Sequence, residues 1–337
     1  MAIDETNRSD ARSEGARRPR VLVLMGGPDA EREVSLMSGT EVARALRAEG
    51  SFEVVDAVVD RPDASELLSH RPDAIYPVLH GPWGEGGPLQ EVLEAIERER
   101  GIPFIGPGSR AAATAMDKLA TKALARAVGV RTAAAEPVVA GRPLAIQAPL
   151  VLKPSNDGSS VDLRICRSAA EIEAARRELE PKRDRLMAEA FVAGRELTVG
   201  VVGDGSAAPT VLPIIEIVPA VEYYDYEAKY IRDDTRYVID PALPPGVAEE
   251  LRRATAAVFL GLGLRDVARA DFILGPDGPS FLEINTAPGM TTHSLVPKAS
   301  RHRGVDMPEL CAGLVRSALS RVSRPTLPKN ATAAGAR

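Results

Sequence analysis

At 337 residues the chain exceeds what one ordinary core fills and calls for two or three domains. Its 45% hydrophobic and 26% charged residues are the composition of a soluble globular protein, and a net charge of −5 argues against a nucleic-acid or anionic-membrane partner held by bulk electrostatics. The two cysteines, Cys166 and Cys311, lie far apart without a C-x-x-C companion, which speaks against a disulfide framework or a zinc site and fits a reducing, cytoplasmic setting.

Residues 1–19 mix charges with small polar residues, lack the apolar core of a signal peptide and read as a disordered leader. Residues 20–116 read as a small doubly wound α/β unit. A buried strand over 21–25 turns at Gly26 and Gly27 into a helix over 31–48, and strands follow over 52–59 and 74–79. Pro88 opens a helix over 88–98 with Leu89, Val92, Leu93 and Ile96 at helical spacing. A central unit, 117–207, holds a helix over 117–127, a strand over 149–153 and a glycine-serine loop over 156–160. In it Ser168 and Glu171 form a capping box, and strands occupy 185–191 and 196–202. The third unit, 208–322, has a strand over 211–218, a polar loop over 220–245, a helix over 246–260 with Val247, Leu251 and Val258 on one face, and strands over 267–274 and 280–285. Residues 323–337 read as a disordered tail. There is no internal repeat, and no run of about eighteen apolar residues that would span a membrane.

The last two strands flank the turn signal Gly275-Pro276-Asp277-Gly278, which predicts a hairpin. Residues two apart share a face of a strand, so Glu283 and Asn285 point the same way, and Asp271 can face them across the hairpin. Three oxygen donors suit a hard cation such as Mg2+ or Mn2+, and the same spacing suits equally a hairpin with a polar solvent face. Lys153 before the glycine-serine loop, Lys118 at a helix start and Lys229 in a tyrosine-rich loop are separated cations able to meet a polyphosphate. Each lysine alone is the ordinary solvated residue. No Walker motif G-x-x-x-x-G-K-S/T occurs, nor H-E-x-x-H, nor G-x-S-x-G. The relaxed G-x-G-x-x-A at 106–111 lacks an acid at the spacing for a ribose contact and reads as a turn.

From about Arg20 to Arg321 the chain resembles the D-alanine–D-alanine ligase family of ATP-grasp enzymes. Eight stretches carry the resemblance in order: GGPDAEREVSL (26–36), LHGPWGEGG (79–87), MDKLATK (116–122), VLKPSNDGSSV (151–161), GRELTVGV (194–201), YYDYEAKY (223–230), ARADFIL (268–274) and FLEINTAPGMTTHSLVP (281–297). The resemblance implies an ATP-grasp fold behind a Rossmann-like, pre-ATP-grasp domain, with residues 117–207 and 208–322 as its two subdomains. It implies ATP as co-substrate, D-alanine as substrate, two Mg2+ or Mn2+ ions on Asp271, Glu283 and Asn285, and a homodimer formed through the N-terminal domain.

Roles follow by motif position. Lys118, Lys153 and Lys229 match lysines on the nucleotide phosphates, Glu196 the ribose-binding acid, and Glu189, Phe191 and Val192 the segment whose backbone meets adenine. Glu31 matches the acid beside the first D-alanine's ammonium, with His80 near the same substrate. Arg269 and the Gly289 N–H match the groups on its carboxyl and the later oxyanion. Ser159 and Tyr230 match hydroxyls that bond Glu31 and close the site, and Ser294 with the Leu295 N–H matches the dock for the second carboxylate. An acyl phosphate must be kept from water, which makes loops 154–160 and 220–236 candidates for a lid. Three positions depart from the pattern: Gly86 stands for an aspartate, Asp162 for a glycine at the end of the phosphate loop, and Ala190 for a lysine beside adenine. Two rival readings remain, a ligase of another dipeptide or depsipeptide and a catalytically silent ATP-binding protein; the presence of Glu31, Arg269, Asp271, Glu283 and Asn285 argues against the second.

Overall fold

The computed structural model describes residues 17–158, 162–206, 208–218 and 235–323. β1 (Arg20–Gly26), β2 (Glu53–Val59) and β3 (Ala74–Pro77) form a parallel sheet in the order β2-β1-β3. Side chains alternate across β1, so both of its faces need cover. Val21, Val23 and Met25 join α1 (Arg32–Glu49) in one core, and Leu22 and Leu24 join α2 (Ala64–Ser69) and α4 (Pro88–Arg100) in another. Between them α3 (Gly81–Glu85) is a short helix that starts at His80. α5 (Ser109–Met116) and α6 (Lys118–Ala127) are separated by Asp117, whose extended backbone ends one helix and whose carboxylate accepts the Leu119 and Ala120 N–H groups that open the next.

β4 (Ala135–Pro137), β5 (Leu150–Pro154), β6 (Arg164–Cys166) and β7 (Leu186–Ala190) form an antiparallel sheet in the order β4-β7-β5-β6. α7 (Ala169–Leu179) covers one face over Leu150, Leu152, Leu186 and Ala188. Ser168 caps α7 by accepting the Glu171 N–H, and the Glu171 carboxylate reaches back to the N–H of Arg167.

The third sheet is antiparallel throughout, in the order β10-β9-β8-β11-β12, from β8 (Arg195–Gly203), β9 (Thr210–Val218), β10 (Arg236–Ile239), β11 (Asp266–Gly275) and β12 (Gly278–Asn285). β10 corrects the expectation of loop over 220–245. It is a four-residue edge strand ordered by pairing with β9, too short to show a period of its own. α8 (Val247–Gly261) covers one face, with Leu251, Val258 and Phe259 against Leu197, Val199, Ala268 and Ala270. α9 (Leu295–His302) leads to α10 (Met307–Ser323), which does not stay with this sheet alone. Leu310, Leu314, Val315 and Ala318 enter the core of β1 and α1, so the last helix packs on the first sheet. Arg321 ties the same helix back to the third sheet by a bond of 2.6 Å to Asp266, fully buried at the start of β11, which also accepts the Gly106 N–H at 2.7 Å. Among the described residues no helix is long and apolar enough to cross a membrane.

Candidate active site

The strand alternation that buries one face of each antiparallel sheet turns the other toward a shared cleft. Val151 and Lys153 on β5, Glu189 on β7, Glu196 on β8, and Arg269 and Asp271 on β11 line it, as do Phe191 and Val192 after β7 and Glu283 on β12. Lys118, the first residue of α6, with Asp157 and Gly158 of the loop after β5, borders the same space. The cleft encloses about 1160 Å³, its open mouth included.

Its floor is charged. Lys153 lies 2.6 Å from Glu189, whose other oxygen meets Lys122, one helical turn beyond Lys118. Lys122 is fully buried and also donates to Thr132 at 2.8 Å and to the Phe281 carbonyl at 3.2 Å. Burial lowers its ammonium to about 8 against the opposing pull of Glu189. Burial would raise the Glu189 carboxyl, but the charges of Lys153 and Lys122 outweigh it and hold the acid below its ordinary value.

On the hairpin Asp271 stands opposite Glu283 and Arg269 opposite Asn285, with a bulge just after Asp271. Arg269 grips Asp271 through two bonds of 3.0 and 2.8 Å, and the Thr198 hydroxyl donates to the same carboxylate at 2.5 Å. Lys118 lies 3.2 Å from Glu283. Asn285 accepts the Ala287 N–H at 3.1 Å. The donor set fits a hard divalent cation, because all three side chains offer oxygen and the two carboxylates face each other while drawing cations from both flanks. A group of three His, Cys, Asp or Glu does not occur among the described residues; here the third donor is an amide.

Beyond Arg269 lies a second, smaller cavity of about 470 Å³ lined by His80, Glu85, Thr286 and Ala287. Glu85 is buried and accepts the Gly81 N–H at 3.1 Å and the Ala287 N–H at 3.3 Å. Burial, and then the charge of Glu31, push its carboxyl up to about 8. Burial lowers the His80 imidazole to about 4, with Arg269 adding to the shift and the Ala287 backbone opposing it. His80 Nε2 has no hydrogen-bond partner among the described residues. Glu31 stands at the start of α1, and a Cβ built on Gly158 would lie 3.1 Å from its Oε2, so the loop after β5 closes against it. Gly289 packs just as tightly on Ser294, whose hydroxyl would lie 2.9 Å from an added Cβ. Ser294 precedes α9, and Leu295 is its first, buried residue.

The family described as D-ala D-ala ligase C-terminus matches residues 131–316. D-alanine–D-alanine ligase B of Chromobacterium violaceum is 41% identical over 303 residues, which cover 87% of this chain and 95% of that protein. D-alanine–D-alanine ligase of Anaeromyxobacter sp. is 41% identical over 307 residues, 89% of this chain and 96% of the relative. The chain belongs to the D-alanine–D-alanine ligase family. The fold agrees. The crystal structure of D-alanine–D-alanine ligase from Bacillus anthracis complexed with ATP superimposes with a TM-score of 0.76 at 27% identity, covering 91% of this chain and 99% of that one. The VanG D-Ala:D-Ser ligase from Enterococcus faecalis, at 22% identity, shares the fold with a TM-score of 0.75 over 90% of this chain and all of its own. These neighbours are ATP-grasp enzymes, and the mixed α/β architecture is theirs.

The family departures have local causes. A side chain at Gly86 would run into the Pro82 carbonyl oxygen, so this backbone has no room for the usual aspartate. Ala190 lines the cleft as a methyl group. Asp162 adopts φ 55°, the left-handed region, and keeps it with its carboxylate held by Arg183 at 2.6 Å. Ser159, Lys229 and Tyr230 lie outside the described residues, as does most of the 220–236 segment. Sequence reasoning missed Glu85, Lys122, Thr198 and Arg183. Lys122 and Glu85 sit inside motifs that the sequence displays, MDKLATK and LHGPWGEGG, but a charged residue there reads as exposed until its burial is seen.

Proposed function

We propose that this chain joins two D-alanines to D-alanyl-D-alanine, turning ATP into ADP and phosphate, for peptidoglycan precursor synthesis in the cytoplasm. The observation that carries the reading is the cleft: in a chain of this family, two sheets converge on a charged cluster in which Lys153 pairs with Glu189, Lys118 pairs with Glu283, and Asp271 stands opposite Glu283. The Bacillus anthracis relative was crystallised with ATP, and a nucleotide in the corresponding cleft would have its phosphates between these lysines and carboxylates.

Lys118, Lys153 and Lys229 hold the phosphates, Glu196 the ribose, and the backbone of Glu189, Phe191 and Val192 the adenine. Asp271, Glu283 and Asn285 would hold two Mg2+ or Mn2+ ions, which neutralise charge on the transferred phosphoryl group when bound. Glu31 and His80 receive the first D-alanine, with Ser159 and Tyr230 in support of Glu31. Its carboxylate oxygen attacks the γ-phosphorus, ADP leaves, and D-alanyl phosphate results. The second D-alanine docks its carboxylate on Ser294 and the Leu295 N–H, at the start of α9 where backbone donors favour an anion. Its amine attacks the acyl carbon, and Arg269 with the Gly289 N–H steadies the oxyanion until phosphate departs. Residues 20–116 form the pre-ATP-grasp, doubly wound domain in this reading, 117–207 and 208–322 the two ATP-grasp subdomains, and the chain works as a homodimer.

The test is product formation from ATP, Mg2+ and D-alanine, beside L-alanine and beside D-serine or D-lactate paired with D-alanine, with products identified by mass spectrometry. D-Alanyl-D-alanine from D-alanine alone is the expected result. ATP binding without turnover of any pair would overturn the proposal in favour of a silent nucleotide-binding protein.

A further inference from the structure

The loop after β5 meets the cleft at Asp157 and Gly158, and Asp162 follows four residues later in the sequence. One guanidinium reaches both aspartates. Arg183 donates from Nε to Asp162 at 2.6 Å and from Nη1 to Asp157 at 2.9 Å. Its backbone N–H is tied to the Leu179 carbonyl at the end of α7, so the anchor sits in the turn after the covering helix and not in the loop. Arg183 does not itself line the cleft.

Asp157 passes the restraint inward. Its carboxylate also accepts the Gly158 N–H at 2.9 Å, and its carbonyl accepts the Lys118 ammonium at 2.5 Å, which lies 3.2 Å from Glu283. Asp157 borders the cleft and Asp162 lies on the other side of the same guanidinium, and negative charge this near a polyphosphate disfavours it unless a cation compensates it. A planar fork can span both, which a lysine point charge cannot. The left-handed backbone at Asp162 would suit glycine, and the bond to Arg183 offsets the reluctance of an aspartate to adopt it.

We propose that Arg183 is a positioning residue for the nucleotide: it neutralises Asp157 at the cleft edge and Asp162 behind it, and holds Asp157 in place, so that phosphate meets Lys118 without facing a bare carboxylate. The inference rests on the reading of the cleft as an ATP site. The departure from glycine at position 162 and the presence of Arg183 are then one device.

Calorimetric titration of the full chain with ADP and Mg2+ tests it. Arg183→Gln should weaken ADP binding about tenfold, with the KM for D-alanine within about twofold of the unmodified protein. Adding Asp162→Asn, which tolerates the left-handed backbone but carries no charge, should recover part of the loss. Arg183→Lys, which keeps the charge but not the fork, should fall between. Unchanged ADP affinity in Arg183→Gln, no recovery in the double variant, or a parallel loss in D-alanine KM would overturn the proposal. Ligation by the unmodified protein is measured alongside. ADP binding without dipeptide would sink the ligase reading and leave Arg183 to be decided by the variants; absence of ADP binding would remove both.

Discussion

Lys153 and Glu189 form a buried ion pair at 2.6 Å, and the acid is shared with Lys122 behind it. A single carboxylate thus compensates two ammonium groups, Lys153 in the cleft wall and Lys122 buried behind it. Glu189→Gln leaves both uncompensated, and the expected cost is about 3–5 kcal/mol in urea unfolding. Glu189→Gln combined with Lys122→Met should regain a part of that loss, because one buried charge is then removed. Equal stability of the single variant and the unmodified protein would show that the triad carries no such weight.

Glu85 gives the fold a pH dependence of definite sign. Its carboxyl is raised from 4.5 to about 8, so the folded protein holds a proton that the unfolded chain has released. Stability therefore falls as pH rises from about 4.5 to about 8 and is level above it. Glu85→Gln removes the cost, and its advantage in urea midpoint should grow across that window to on the order of a few kcal/mol.

His80 acts on the acid side. Its imidazole is lowered from 6.5 to about 4, so the unfolded chain takes up a proton first. The stability this neutral ring contributes is present above pH 6.5 and is lost as pH falls toward about 4. His80→Gln should flatten that limb of the stability curve and leave the limb due to Glu85 in place.

Glu283→Gln tests the proposed metal ligands. It should lower kcat/KM by about 100-fold or more, the equivalent of about 3 kcal/mol, and should weaken the Mg2+ dependence of ADP binding. Chelation of the divalent ion should stop turnover by the unmodified protein. Full activity in the variant would remove Glu283 from the metal site.

Arg321→Ala leaves Asp266 buried with its charge unmatched, against a bond of 2.6 Å in the native protein. The expected loss is about 3 kcal/mol in urea unfolding.

The hairpin of β11 and β12 was legible because its turn residues and its alternation agree, and the same alternation places Asp271 opposite Glu283. Other features depend on distant partners. β10 is ordered by β9 and has no periodicity to display. The departure at Asp162 is visible in the sequence, but the partner that explains it is Arg183, brought across by the return of the chain through α7. Glu85, Lys122 and Thr198 are polar residues whose burial is decided by which sheet or helix covers them, a tertiary fact that local pattern does not encode.

The docking of α10 on β1 and α1 has a consequence for how the protein is made. During synthesis β1, α1 and β3 emerge from the ribosome long before the last helix, which completes their shared core, exists. α1 covers one face of the amino-terminal sheet early, but the apolar side of α1 and β3 that meets Leu310, Leu314 and Val315 stays uncovered until nearly the whole polypeptide has been translated, and closing that contact brings together segments far apart in the sequence. The nascent amino-terminal half is therefore the stage at which a chaperone has most to hold.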